Sequence, residues 1–243
     1  MKKIFLILIL LIIGAFFFGG DFLSTFEDPE PRDLSVEFLP DEGMEAQEIT
    51  VVEEEETIFS LEIEQLNSWM EENWNRFDDP PTVAMRDIDP GGFGFFDRAA
   101  SISPGGERLI FSVSDYAAAS TTSIVVVADL ETRELDLITD PVRGSIEAYA
   151  WKNDRVAYTI GTARAGGDFL RVDDLTEMRV GFELSEEDLV VFLDSDVEEG
   201  QYMPAFRDLN WDGDFLEFTT SDPDTEEDLH WRINFEGVDL ELK

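Results

Sequence analysis

The sequence predicts an all-β fold of repeated antiparallel units, preceded by a signal-anchor helix and one capping amphipathic helix. Three observations carry that expectation. A turn-and-strand phrase fills residues 101–112 (Ser-Ile-Ser-Pro-Gly-Gly-Glu-Arg-Leu-Ile-Phe-Ser) and returns near Trp151 and near Trp211. In that register Pro104, Trp151 and Trp211 coincide, as do the apolar pairs Leu109/Phe111, Val156/Tyr158 and Leu216/Phe218 and the hydroxyls Ser112, Thr159 and Thr219. Each phrase is followed by further alternating or β-branched runs punctuated by Asp, Gly and Thr turns, which is the pattern of strands and hairpins.

A chain of 243 residues accommodates one sizeable domain with appendages. Its 56 acidic residues against 17 basic ones give a net charge of −39. Lysine stands only at Lys2, Lys3, Lys152 and Lys243. A surface this acidic repels nucleic acid and anionic headgroups, so nucleic-acid binding is excluded. Such a charge keeps a protein soluble where salt screens its self-repulsion, and it also suits binding of cations or of a basic partner. There is no cysteine, which removes disulfides, thiolate metal sites, cysteine nucleophiles and a lipidated N-terminal cysteine.

Lys2 and Lys3 followed by the apolar run 4–18 have the pattern of a secretory signal or N-terminal membrane anchor over residues 1–20. Phenylalanines at 16–18 replace a small-residue cleavage site, which favours an uncleaved anchor over a cleaved signal. The positive end would stay cytoplasmic and the rest would be exported, to the periplasmic or extracellular side of the cytoplasmic membrane. Residues 21–57 read as an acidic, flexible spacer ending in Glu53-Glu54-Glu55-Glu56, with a short strand at 49–52. Residues 58–97 hold a helix over 60–77 with Ile63, Leu66, Met70 and Phe77 on one stripe, widened by Trp69 and Trp74, and then an aromatic, turn-rich lead-in. Residues 98–243 form the β-repeat domain, in three units, with an insertion at 185–202 in the last spacing.

The segments 103–111 and 210–218 resemble the Trp-Ser-Pro-Asp-Gly phrase of TolB-type, WD-like β-propeller repeats. Val126-Val127-Ala128-Asp129-Leu130 with Leu137-Ile138-Thr139-Asp140 is similar to the same family's second hairpin. The resemblance spans residues 98–243 and implies four-stranded blades. Closure of a propeller takes at least about four blades, and three are counted, so a partial or small propeller, an open sheet and a sandwich all remain expected architectures. The resemblance names no function.

Motifs that could carry chemistry are sparse. Asp208, Asn210, Asp212 and Asp214 offer oxygen ligands at alternate positions with Gly213 beside them, as in the first half of a calcium loop. Thr219 stands where the closing bidentate glutamate belongs, and the same residues also read as a blade turn. Asp194, Asp196, Glu198 and Glu199 make a second acidic loop. The glycine-rich stretch 161–167 lacks a phosphate-loop lysine and reads as a hairpin loop. His230 is the only histidine and has no nucleophile elbow to serve. No catalytic residue and no organic cofactor is expected; calcium is the one candidate ion. The favoured function is a membrane-anchored, extracytoplasmic, non-enzymatic module that binds another envelope protein. The alternatives are a calcium-stabilised ligand- or glycan-binding module and an exported hydrolase using paired carboxylates.

Overall fold

A computed structural model of the chain describes residues 32–40, 45–73, 91–117, 120–138, 142–161, 169–176, 179–193, 205–222, 224–225, 227–234 and 239–243. The expected anchor at 1–20 and the acidic loop at 194–200 lie outside them. Among the described residues no helix is long and apolar enough to cross a membrane. The unit Asp33–Lys243 is built of antiparallel sheets.

There are four described sheets, not three. The first is β1 (Leu34–Leu39), β2 (Glu48–Glu53) and β3 (Glu56–Glu62). The second is β4 (Phe95–Ile102), β5 (Arg108–Ala117), β6 (Ser120–Asp129) and β7 (Leu135–Leu137), with β8 (Val142–Arg143) also on β6. The third is β9 (Ser145–Lys152), β10 (Arg155–Gly161), β11 (Phe169–Asp174) and β12 (Arg179–Leu184). The fourth is β13 (Arg207–Asp212), β14 (Phe215–Ser221), β15 (Asp228–Asn234) and β16 (Asp239–Leu242). Each is a meander in chain order, and β4, β9 and β13 adjoin one another in turn. Among the described residues no ladder joins the fourth sheet to the first.

The first sheet replaces the described part of the expected spacer, 32–40 and 45–57, with strands, and adds a sheet to the three repeats counted. Leu34, Val36 and Phe38 point one way, with Ser35 and Glu37 on the other face, and Phe38 pairs with Ile49 and Val36 with Val51. Glu37 and Glu48 therefore occupy the outer face of an amphipathic sheet, and Glu53–Glu56 make its second turn and the strand ends beside it. The turn between β2 and β3 is Glu54-Glu55, with φ of 47° and 72°. Two-residue hairpin turns of this shape ordinarily carry Asn-Gly, so the usual hairpin signal is missing.

The repeated phrase is the hairpin from the first to the second strand of sheets two to four. Its apolar pair always faces the preceding sheet. Leu109 and Phe111 pack with the first sheet's Ile49, Val51 and Phe59. Val156 and Tyr158 pack with Ile110, Val125 and Val127 of the second sheet. Leu216 and Phe218 pack with Leu170, Val172 and Leu184 of the third. Strand alternation puts the intervening residues against the following sheet, so β5, β6 and β10 are buried on both faces. Trp151 and Trp211 wedge between successive sheets, and Trp211 Nε1 donates to the Ala150 carbonyl at 3.2 Å.

Two helices fill gaps between sheets. α1 (Ile63–Asn73) buries Ile63, Leu66 and Met70 against the first and second sheets. It starts three residues later than the periodicity indicated, because Phe59 and Leu61 still alternate with Ser60 and Glu62 as strand; residues 74–77 lie outside the described part. Gln65 Oε1 accepts from the Glu62 amide at 3.1 Å, half of a capping box. Asn67 clamps the lead-in to the second sheet, donating to the Phe93 carbonyl at 2.9 Å and accepting from its amide at 3.2 Å. α2 (Glu186–Leu193) occupies the insertion, where only an apolar run was expected. Ser185 and Asp188 cap it, Leu189 is buried between the third and fourth sheets, and Phe192 meets the Trp231 ring edge-on at 5.3 Å.

The doubled left-handed turn in the first sheet generates a stability test. Replacing Glu54→Asn and Glu55→Gly together should raise the unfolding free energy by about 1 kcal/mol in urea melts, since both new residues accept positive φ and two of several crowded like charges are removed. No gain would mean that the turn is not strained in the folded protein.

Candidate functional site

The residues singled out for calcium lie along an extended strand and its turn. Asp208, Asn210 and Asp212 are on β13, and Asp214 follows Gly213 in the turn to β14. A bulge at Asp208, with φ of 56°, interrupts the pairing between Arg207–Thr219 and Asn210–Glu217. Asp212 accepts from Arg232 Nη2 at 3.1 Å, and Asp214 is paired with Lys152 from the third sheet, which also donates to the Gly213 carbonyl at 2.5 Å. The Lys152 hydrogen bond and its charge hold the Asp214 carboxyl below its usual range. Among the described residues no three His, Cys, Asp or Glu side chains converge as metal ligands. His230 is exposed on β15, with Nδ1 3.3 Å from Thr219 Oγ1.

Both end faces of the stack are polar, as terminal repeats in a stacked array must be. The outer face of the fourth sheet carries Asp212, Glu217, His230, Arg232, Glu241 and Lys243. Arg232 lies 3.6 Å over the Phe215 ring and 3.7 Å from Glu217, which also takes Lys243. The outer face of the first sheet is acidic. Asp33, Ser35, Glu37, Glu54, Glu55 and Thr57 border an open recess of about 500 Å³. Among the described residues that line it there is no arginine or lysine.

The seam between the second and third sheets is different, because polar groups are buried in it. Asp97 of β4, Ser112 and Ser114 of β5 and Ser123 of β6 cluster on the second sheet's side. Ser112 Oγ donates to Asp97 Oδ2 at 2.6 Å, and Ser114 Oγ lies 2.8 Å from both carboxyl oxygens. The third sheet contributes Tyr149 and Tyr158, whose rings are 6.0 Å apart, and the fully buried Asp173. Tyr158 Oη donates to Asp173 Oδ2 at 2.5 Å and Arg171 Nε donates to Oδ1 at 3.1 Å. Burial pushes the Asp97 carboxyl up, against the lowering effect of its serine partners. Burial also pushes Asp173 up, partly offset by the Arg171 charge and the Tyr158 hydrogen bond. Burial raises both tyrosines as well, with Ser112 beside the Tyr149 hydroxyl partly offsetting the rise there.

None of these seam residues except Ser112, Tyr149 and Tyr158 belonged to the repeat phrase as read from sequence. The available signal was the interruption of Ile110 by Ser112 and Ser114 on one face of β5, while Leu109, Phe111 and Val113 stay apolar on the other.

No protein-family model and no curated protein matches the sequence. Solved structures similar to the chain include TolB from Acinetobacter baumannii, at 13% identity and a TM-score of 0.46, covering 87% of this chain and 41% of that one. The β-propeller domain of the trilobed protease from Pyrococcus furiosus matches at 13% identity and a TM-score of 0.41, over 62% of this chain and 43% of that one. A nidogen/laminin complex matches at 10% identity and a TM-score of 0.41, over 86% and 60% respectively. The chain thus spans less than half the length of the first two. TolB and other β-propeller domains are the structural neighbours of a chain whose repeats resemble theirs in sequence.

Two outcomes follow. Arg171→Leu leaves Asp173 buried without its cation and should destabilise the fold by about 3–5 kcal/mol at pH 7, and by less at pH 5, where Asp173 can take up a proton; equal losses at both values would show that the carboxylate is not the cause. With Asp212 and Asp214 already engaged by Arg232 and Lys152, calcium and chelator should leave the melting temperature unchanged. A rise specific to calcium would restore the metal-loop reading.

Proposed function

We propose that this chain is a non-enzymatic β-repeat module that binds another protein, exported and tethered to the cell envelope by its N-terminal segment. The observation that carries the reading is the acidic end face of the first sheet, an open recess bordered by Asp33, Glu37, Glu54 and Glu55 with no basic side chain among the described residues that line it. Such a field steers a basic partner surface toward it and repels an acidic one. The stacked sheets behind it supply a rigid support. The Lys2-Lys3 and apolar 4–18 pattern supports the tether and the exported location.

Carbodiimide crosslinking of the full chain in envelope fractions, read by mass spectrometry, tests this directly. That reagent joins carboxylates to a partner's lysines, which suits a chain rich in the former and poor in the latter. The expected result is a reproducible heterologous partner linked through residues 33–57, with yield falling as salt rises and falling several-fold in Glu54→Lys/Glu55→Lys. Self-links only, or yields indifferent to salt and to the charge reversal, would overturn the reading.

A further inference from the structure

In the seam between the second and third sheets, four short oxygen–oxygen contacts run in a line. They join Ser112 to Asp97 at 2.6 Å, Asp97 to Ser114 by one forked contact at 2.8 Å from each carboxyl oxygen, Ser114 to Ser123 at 2.6 Å, and Ser123 to the Gly144 carbonyl at 2.5 Å. Oxygens this close need a proton between them. A hydroxyl has one to give, while a carbonyl and an ionised carboxylate have none. The Gly144 carbonyl can only accept, so Ser123 donates to it. Ser114 must then donate to Ser123, and Ser112 donates to Asp97 Oδ2. The contact between Asp97 and Ser114 is left without a serine proton. The fourth proton has to come from Asp97.

We propose that Asp97 is a neutral carboxylic acid in the folded protein, donating from Oδ1 to Ser114, and that its proton makes the chain Asp97–Ser114–Ser123–Gly144 a pH-controlled latch between the second sheet and the crossover into the third. Gly144 is that crossover: it joins β8 on the second sheet to β9 of the third. Its φ is 125°, and a side chain there would collide with the Gly161 carbonyl of β10, so the crossover sits tight against the third sheet. Among the described residues, the titratable and charged side chains facing this layer are Tyr149 of β9, Tyr158 of β10, Arg171 and Asp173 of β11, and Glu183 of β12, 4.0 Å from Arg171. Arg171 and Asp173 pair with each other, and Tyr158 completes Asp173. Arg98, next to Asp97 on β4, reaches instead to the Pro40 carbonyl at 2.6 Å. Burial favours the neutral form of Asp97, in agreement with the proton count. Ionisation leaves three protons for four contacts, and the line to Gly144 must break.

The sign of the pH effect follows. The folded state holds a proton that the unfolded state releases near 3.8. The stabilisation is complete below that value and is lost as pH rises through the folded-state pKa, with the unfolding constant climbing up to about tenfold per pH unit in between.

The test pairs two measurements on the full chain. Asp97→Asn reproduces the neutral acid's pattern, since its amide nitrogen donates to Ser114 and its oxygen accepts from Ser112, and it cannot ionise. Urea unfolding from about pH 4 to 8 should show the wild type losing stability relative to Asp97→Asn by up to about tenfold in unfolding constant per pH unit before levelling. A carboxyl carbon-13 titration of the wild type should place Asp97 well above 3.8. Parallel stability profiles, or a titration at or below that value, would overturn the proposal. If the variant does not fold, the carbon-13 titration decides alone.

Discussion

A β-sheet with two apolar faces cannot stand alone in water, and this chain makes two of them. β5 carries large apolar side chains on both faces, and the third sheet does the same with Val156, Tyr158 and Ile160 of β10 on one face and Leu170 and Val172 of β11 on the other, so the second and third sheets fold only if each is covered twice. The first and fourth sheets supply the outer covers. Each has one apolar face turned inward and one charged face turned to solvent, and that asymmetry lets the stack end. Fully burying a side chain such as Phe111 or Leu216 contributes about 1.5–3 kcal/mol, so removing an end sheet would expose several such terms at once. The acidic face proposed to meet a partner and the apolar face that covers the core are therefore the two sides of the same three strands.

The three seams are not alike. Those between the first and second sheets and between the third and fourth are apolar, and each takes a helix as filler, α1 or α2. The middle seam combines apolar residues with two carboxyl groups, three serines, two tyrosines and an arginine. A buried polar group is costly unless its hydrogen bonds are complete, which is why the arrangement of donors there is so restrictive. Arg171 completes Asp173 with charge, whereas the serine side of Asp97 can be completed only with a proton. The same seam is thus ionic on one side and neutral on the other.

Much of the fold could be read in the sequence, because alternation and register survive without knowledge of partners. The hairpins at 101–112, 149–159 and 209–219, the later hairpins of each sheet, and the stripe Ile63/Leu66/Met70 all follow from period and turn chemistry. The first sheet was hidden by its own charge. Glutamates at 37, 48 and 53–56 dominate a composition scan, and the Glu54-Glu55 turn lacks the glycine or asparagine that would have marked a hairpin. α2 was announced by Ser185 and Asp188 ahead of an apolar run, a capping signal easily passed over inside an insertion. Of the middle seam only the serines that interrupt β5 left a mark in the sequence, because Asp97, Ser123 and Gly144 are brought together only by the pairing of β4, β5 and β6 and the crossover to β9. Acidic residues at alternate positions pointed to a cation, and in the fold two of them, Asp212 and Asp214, face the basic side chains of Arg232 and Lys152.

Amide hydrogen exchange, resolved strand by strand, is the most direct measurement of the stacked-sheet arrangement. Four sheets covering one another predict slowest exchange in β5, β6 and β10, with β2 clearly protected because Ile49 and Val51 are locked between β1, β3 and the second sheet. Exchange across residues 48–62 at the rate of an unstructured chain would contradict it, and would return the acidic segment to a spacer outside a three-sheet core.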